Sequence, residues 1–441
     1  MSCSQPSVGP LDWNTSQRQK KEYIEWKRQE DKMAEPSTLC LSMIPLQYLG
    51  SGITVEPLES VLLIGLEVDS EFNNNNPLKL TVTSRYSLGF IYVESYIDTN
   101  ILHISGNNSC QVRIQTDSVT NMNAVLKHVV YTSQEHHKRQ RDYIDISFQD
   151  IYNVFMNVLI QRQHVPRLYD PGPGNDINNK VTIVAKTFER YDCVNALIAS
   201  VNKFYPNMTI IIADDSENKQ KLEGNNVKHY LMPFLEGYAA GKNLLVSQVR
   251  TKYLLWVDDD FVFTKDTLLE RFVEKLESPT ADLDLVAGYL VSRKEHPWAH
   301  VSYINDDDGG CISESDTSYG TLKEFPNCKL MDIVTNFFMA KTDAVRTVGF
   351  DSVFERISHR EFFVDALGHL RIAVCDDVII RHDRRSNERY RNYRMIQTQQ
   401  RESARYAERV LFKNNLRCFQ AWTQSFLEFE KYNTFELNSS V

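Results

Sequence analysis

The stretch Lys252-Tyr253-Leu254-Leu255-Trp256-Val257-Asp258-Asp259-Asp260-Phe261 decides how this chain is read. Tyr253 to Val257 is an unbroken apolar run, the pattern of a strand buried on both faces of a parallel sheet. The three carboxylates that follow cannot enter the core, and they repel one another unless a cation lies among them. Alternation along an extended strand points Asp258 and Asp260 to the same side. Hard carboxylate oxygens suit Mn²⁺ or Mg²⁺, and such a cation neutralises the charge on a leaving diphosphate. A bare Asp triplet is more often a solvated turn. The chain holds its own control in Asp306-Asp307-Asp308, which no core strand precedes and which reads as a mobile acidic loop.

Working outward, Val181 to Ala185 and Thr209 to Ala213 are further buried-strand runs. Between them Val194, Leu197, Ile198, Val201 and Phe204 recur at helical spacing. Tyr238 to Val249 is a second helical segment. Strands alternating with helices predict an α/β fold with a parallel sheet and crossover helices. Ligands of such sheets lie beyond the carboxyl ends of the strands. Asp214-Asp215 and Asp258-Asp260 both fall there. Asp214 or Asp215 could accept from a uracil N–H or a ribose hydroxyl, although an Asp in that place more often caps a turn. Further on, Glu361 leads a predicted amphipathic helix through Leu370, where a carboxylate can serve as general base. His382 closes the strand Val378 to Arg381 and can complete a metal shell. Neither a G-x-G-x-x-G nor a P-loop motif occurs, which weakens dehydrogenase and P-loop readings.

Ahead of this part, short β-rich runs recur from Ile53 to Ile160 with turn residues between them, predicting a small antiparallel sandwich without helices. The boundaries read from the sequence are a flexible polar tail at 1–39, a β-rich domain at 40–165, a Pro/Gly linker at 166–179, an α/β domain at 180–418 and a C-terminal tail at 419–441. A length of 441 residues fits two or three domains. The formal net charge of −9 argues against a nucleic-acid backbone as partner. The eight cysteines contain no C-x-x-C pair, which disfavours a zinc site. They leave reduced thiols and disulfides both open. N-x-[ST] sequons stand at Asn14, Asn107, Asn207 and Asn438, and such triplets are common by chance. There is no run of 18 apolar residues and no signal-peptide pattern, so membrane association is not encoded in these residues.

The motifs in order resemble the vertebrate β1,4-N-acetylgalactosaminyltransferases, the family that makes complex gangliosides and the Sd(a) antigen. The resemblance rests on Val181–Phe188, Phe204-Tyr205-Pro206, Ile212–Ser216, Tyr230–Phe234, the run 247–264, Asn336-Phe337-Phe338, Val348–Asp351 and Glu361-Phe362-Phe363 with Asp365 and Leu367-Gly368. Pro166–Tyr169 matches the family's linker. It covers about residues 165–418. It implies a GT-A (Rossmann-like, glycosyltransferase 2-like) domain and inverting, metal-dependent transfer of GalNAc from UDP-GalNAc to a terminal galactose of a glycolipid or glycoprotein.

By that resemblance Asp258, Asp260 and His382 serve Mn²⁺ or Mg²⁺, and Glu361 is the base. Thr187, Arg190, Asp214, Asp215, Lys242, Asn243, Asp258 and Asp259 face the donor. Cys328 pairs with Cys375, and Cys311 pairs with an N-terminal cysteine such as Cys40 in a disulfide-linked homodimer within the Golgi. The chain departs from the family at Leu235–Asn243, where Glu236 replaces a basic residue, Tyr238-Ala239 a Trp-Phe pair and Lys242 an Arg. It departs again over 293–324. Those differences keep open another donor, UDP-GlcNAc or UDP-Glc, while a catalytically silent carbohydrate-binding or scaffold protein is the remaining reading.

Overall fold

The computed structural model describes residues 12–33, 39–41, 44–72, 77–94, 102–137, 139–291, 299–304, 310–354, 358–383, 385, 388, 390, 391, 393 and 409–420. They form two compact units. Tyr23–Arg167 is one; Leu168 onward, with the helix start up to Glu22, is the other.

The first unit is rich in strands. Its six-stranded sheet runs Ile53–Val55, Tyr152–Gln161, Arg139–Phe148, Leu78–Ser84, Gln111–Thr116, Leu102–Ser105. Alternate residues of Leu78–Ser84 are buried, and Leu78, Leu80 and Val82 enter the unit's core, as one covered sheet face requires. The expectation of a purely antiparallel, helix-free sandwich is corrected at two points. Ile53–Val55 pairs in parallel with Val158–Ile160. Val119–Leu126 is a helix capped by Ser118, with Met122, Val125 and Leu126 buried at helical spacing. Within the polar tail, Trp13–Met33 is a helix of 21 residues, and Arg18 on it forks onto Asp170 at 2.6 and 2.9 Å.

The second unit is built on one mixed sheet. Its order is Val227–Leu231, Thr209–Asp214, Val181–Thr187, Tyr253–Trp256, Phe338–Lys341, Leu285–Leu290, Ile372–His382, Phe261–Val262. The first four strands run parallel, as the alternation of strands and helices predicts. Every residue of Val181–Thr187 is buried. Val181, Ile183 and Ala185 enter one core and Val184 the other, and the helices Tyr191–Phe204 and Tyr238–Gln248 contribute to opposite cores. Period-two alternation on a strand covered on both faces accounts for the unbroken apolar run.

The chain leaves Val181–Thr187 toward Thr209–Asp214 on one side and has Tyr253–Trp256 on the other. That reversal opens a crevice at the carboxyl ends of these strands. Among the described residues no helix is long and apolar enough to cross a membrane.

Candidate active site

The strand Tyr253–Trp256 ends before the triplet, and Asp259 and Asp260 lie in a turn. Simple alternation therefore fails. Asp258 turns one way and accepts from Tyr238 Oη at 2.7 Å and Asn336 Nδ2 at 3.2 Å. Asp260 turns the other way, with Oδ2 at 3.1 Å from His382 Nε2 and 2.8 Å from Arg190 Nη1. Asp259 lies between them. It accepts from Thr187 Oγ1 at 2.8 Å and is ion-paired with the same Arg190.

Arg190 stands just beyond the end of the Val181–Thr187 strand, at the entrance to the next helix. Its guanidinium spans two carboxylates with the fork geometry that only Arg provides, and it lies 4.3 Å from the Tyr390 ring centroid.

These surroundings set the charges. Burial raises Asp259 to about 6 against the pull of Arg190. Burial also raises Asp260, but His382 and Arg190 more than reverse it and hold that carboxyl below its ordinary value. Burial raises Asp258, with Asp260 adding to the effect.

The three expected metal residues, Asp258, Asp260 and His382, do not come together in this structure. Among the described residues no group of three acidic, His or Cys side chains is close enough to hold an ion, because Asp258 faces Tyr238 and Asn336. Asp260 and His382 do fit a cation. An oxygen and an imidazole nitrogen converge, and His382 Nδ1 is buried with no hydrogen-bond partner. Mg²⁺ and Mn²⁺ commonly keep few protein ligands and fill the remaining positions from phosphates and water.

Asp214 and Asp215 are both buried. Asp214 accepts from Tyr191 Oη at 2.5 Å, His229 Nε2 at 3.0 Å and the Ser216 amide at 2.9 Å. Burial opposes its charge, but the bonds from His229, Ser216 and Tyr191 outweigh it and hold the carboxyl at about 2. These bonds brace the turn that follows the strand. Asp215 is ion-paired with Lys186 and accepts from the Gly237 amide at 2.9 Å. Gly237 has a φ of +100°, and Gly241 lies where a Cβ would come within 2.7 Å of the Lys186 stem. Gly at both positions lets the helix Tyr238–Gln248 close over this pair. Phe188 and Phe234 stack beside it at 6.1 Å, with Tyr393 edge-on to both.

Lys242 is fully buried under three rings, 4.5 Å from Tyr238, 4.9 Å from Trp256 and 4.7 Å from Phe350. Burial drops its ammonium to about 7, against the opposing fields of Asp258 and Glu361. It thus stands between the donor carboxylates and the expected base. Asn243 is held by the main chain of Phe350. Its Nδ2 donates to Phe350 O at 2.6 Å and its Oδ1 accepts from Phe350 N at 3.0 Å.

Glu361 lies in the first turn of the helix Ser358–Asp365, which is shorter than the expected run to Leu370. Gly368, with a φ of +74°, lies in the turn that follows. The Glu361 carboxylate is wholly buried. Oε1 accepts from Lys413 Nζ at 2.6 Å and the Asp351 amide at 3.2 Å, while Oε2 has no partner. Burial pushes this carboxyl up to about 7 despite Lys413.

Cys328 and Cys375 are joined, as the resemblance implies. Cys311 is disulfide-bonded within the chain and so is not free for the expected interchain bond. The Cys40 side chain, Asp306–Asp308 and the tail from 421 lie outside the described residues. Sequence reading missed Tyr238 and Asn336 as partners of Asp258, Lys186 as partner of Asp215, and Lys413. The family motif Asn336-Phe337-Phe338 could have flagged the second. No local signal marks Lys413.

The glycosyl transferase family 2 model matches residues 182–349, which run from the second residue of the strand Val181–Thr187 past Phe338–Lys341 and include the Asp triplet. Beta-1,4 N-acetylgalactosaminyltransferase 2 of Mus musculus is 36% identical over 369 residues, covering 84% of this chain and 70% of that protein. Beta-1,4 N-acetylgalactosaminyltransferase 1 of Rattus norvegicus is 34% identical over 420 residues, covering 91% and 77%. The chain belongs to the β-1,4-N-acetylgalactosaminyltransferase family. Its second unit is the GT-A α/β domain of a hexosyltransferase, preceded by a β-rich domain. S. aureus TarS 1-349 in complex with UDP is 15% identical, with a TM-score of 0.34, over 46% of this chain and 60% of that one.

Proposed function

We propose that this member transfers GalNAc from UDP-GalNAc in β1,4 linkage to a terminal, sialylated or unsialylated, galactose of a glycolipid or glycoprotein, with inversion. The observation that carries this reading is its identity with named β-1,4-GalNAc transferases over most of both chains. The site's chemistry agrees. Thr187, Arg190 and Asp215 flank the crevice for the uridine, and Phe188 and Phe234 offer it an aromatic wall. Asp260 and His382 would hold Mn²⁺ or Mg²⁺, which when bound neutralises the departing diphosphate.

Glu361 Oε2 takes the acceptor's proton as the acceptor oxygen bonds to the anomeric carbon. The bond from that carbon to the diphosphate oxygen breaks, and UDP leaves with the electron pair. Inversion follows from attack opposite the leaving group, so positioning is the main demand on the protein. The Cys328–Cys375 bond fits an oxidising compartment such as the Golgi lumen.

Lys242 favours a second reading, transfer from UDP-GlcNAc or UDP-Glc. A caged ammonium lacks the fork of the family's Arg at this place and changes what a sugar can meet. Purified protein with Mn²⁺, a panel of UDP-sugars and galactose-terminated glycans separates the two by product mass. Addition of an N-acetylhexosamine from UDP-GalNAc is expected. Product from UDP-Glc or UDP-GlcNAc alone replaces the donor, and glycan binding without turnover replaces the enzyme by a carbohydrate-binding protein.

A further inference from the structure

The C-terminal segment meets the acceptor side of the site. Val410 is buried in the same core as Phe362 and Phe363, and Leu416–Gln420 pairs with Gly310–Ser315. Between these anchors, Lys413 Nζ reaches Glu361 Oε1 at 2.6 Å and Asp365 Oδ2 at 2.5 Å. Asn414 Nδ2 holds Asp365 Oδ1 at 3.0 Å. Arg409 Nε binds Asp351 Oδ2 at 2.5 Å, while the Asp351 amide completes the hold on Glu361 Oε1. Lys413 and the Asp351 amide thus hold one oxygen of Glu361, with Asp365 and Arg409 bracing those two partners, and Oε2 is left buried and unpartnered.

We propose that Lys413 is the positioning residue of the base: it fixes Glu361 through Oε1, favours the charged carboxylate against burial, and so reserves Oε2 for the acceptor's proton. This rests on the reading of Glu361 as base. Two effects oppose one another at this carboxyl. A wholly buried carboxyl tends toward its neutral form, which cannot accept a proton. An ammonium in direct contact opposes this, and here it is the closest cation. The other charged groups around Glu361 are Asp365 on its own helix, Asp351 with Arg409, and Lys242 from the helix Tyr238–Gln248. Arg360, next in the chain, is turned away onto Glu314. Burial disfavours the Lys413 ammonium, but Asp365 and Glu361 outweigh it and keep it protonated. Asp365 therefore secures the cation but competes for it. Acting through Glu361, Lys413 should govern the pH at which the base works rather than the binding of the donor.

The test is the pH profile of kcat for UDP release with UDP-GalNAc and a galactose-terminated acceptor, in full-length Lys413→Met, Lys413→Arg and Asp365→Asn. In Lys413→Met the acidic limb is expected to move up by about one pH unit, with the donor KM unchanged, since a contacting opposite charge shifts a carboxyl by about 1–3 units. Lys413→Arg is expected to restore the limb. Asp365→Asn is expected to move it down, because a like charge near Glu361 is removed.

A limb that stays in place in both Lys413→Met and Asp365→Asn overturns the inference. So does a loss in Lys413→Met confined to thermal stability and donor KM. If Lys413→Met does not fold, Lys413→Gln, which can keep a hydrogen bond to Oε1 but removes the charge, decides in its place. Glu361→Gln separates this from the underlying reading. Full turnover by Glu361→Gln removes Glu361 as base, whereas a dead Glu361→Gln with an unmoved Lys413→Met limb removes only the role of Lys413.

Discussion

At the donor end of the site Asp260 is buried, yet His382 at 3.1 Å and Arg190 at 2.8 Å hold it ionised. At the acceptor end Glu361 is buried more completely, and Lys413, shared with Asp365, leaves it at about 7. Desolvation acts in the same direction on both. The number and sharing of the cations differ, and the difference suits the two roles proposed for these carboxyls. A group that must face a cation and phosphates at every pH should not titrate near neutrality. A general base works best with a pKa near the working pH. Such divergence between two carboxyls in one site marks a division of acid–base labour.

The strongest way to break this contrast is to remove the donor-side carboxylate. Asp260→Ala should cut UDP release by roughly a thousandfold, several kcal/mol of lost charge stabilisation. A rate in EDTA unchanged from that in Mn²⁺ would deny Asp260 its role. Glu361→Gln should come next, with about a hundredfold to a thousandfold loss in kcat and little change in donor KM, read by steady-state kinetics. The pH profile sharpens the comparison further. Because Glu361 accepts a proton only when ionised, kcat should fall about tenfold per pH unit below about 7 and level off above it. Asp259, at about 6, adds at most a second bend at lower pH. An acidic limb that ends well below 6 would mean that Glu361 is not the titrating base.

The Cys328–Cys375 bond ties the strand that ends in His382 to its neighbour, Cys328–Met331, on the donor side only. Replacing both cysteines by serine should cost about 2–4 kcal/mol of stability, seen as a lower Tm. The acceptor-side pH limb should stay in place.

Much of this was legible in the sequence where the signal is local. Val181–Thr187 and Tyr253–Trp256 announced themselves because strands covered on both faces need unbroken apolar runs. The donor-side carboxylates sit at their ends, where any parallel sheet places its ligands. What the sequence hid was contact at a distance. The direction of each carboxylate in Asp258–Asp260 depends on a turn, and alternation holds only while the chain stays extended. Asp214 reads like Asp215, yet Tyr191 and His229 enclose it. Lys413 lies 52 residues beyond Glu361, in a segment without a motif, and only folding brings the two together. Cys311 followed the resemblance into a dimer, whereas the fold gives it a partner in its own chain.

Asn243 provides the smallest and most discriminating test of how far motif reading can be carried. By position, next to Lys242 in a segment facing the donor, it should bind substrate. By geometry both polar atoms of its side chain are spent on the Phe350 main chain, and Phe350 roofs Lys242 at 4.7 Å and stacks on Phe362 at 4.6 Å. Asn243→Ala leaves a buried amide and carbonyl unpaired, at about 1–3 kcal/mol. A lower Tm with donor KM within about twofold of the parent is therefore expected, since the loss falls on the folded state and spares the donor contacts. A KM raised about tenfold at unchanged Tm would return Asn243 to the donor and would require this helix to open from Phe350 when the sugar nucleotide binds.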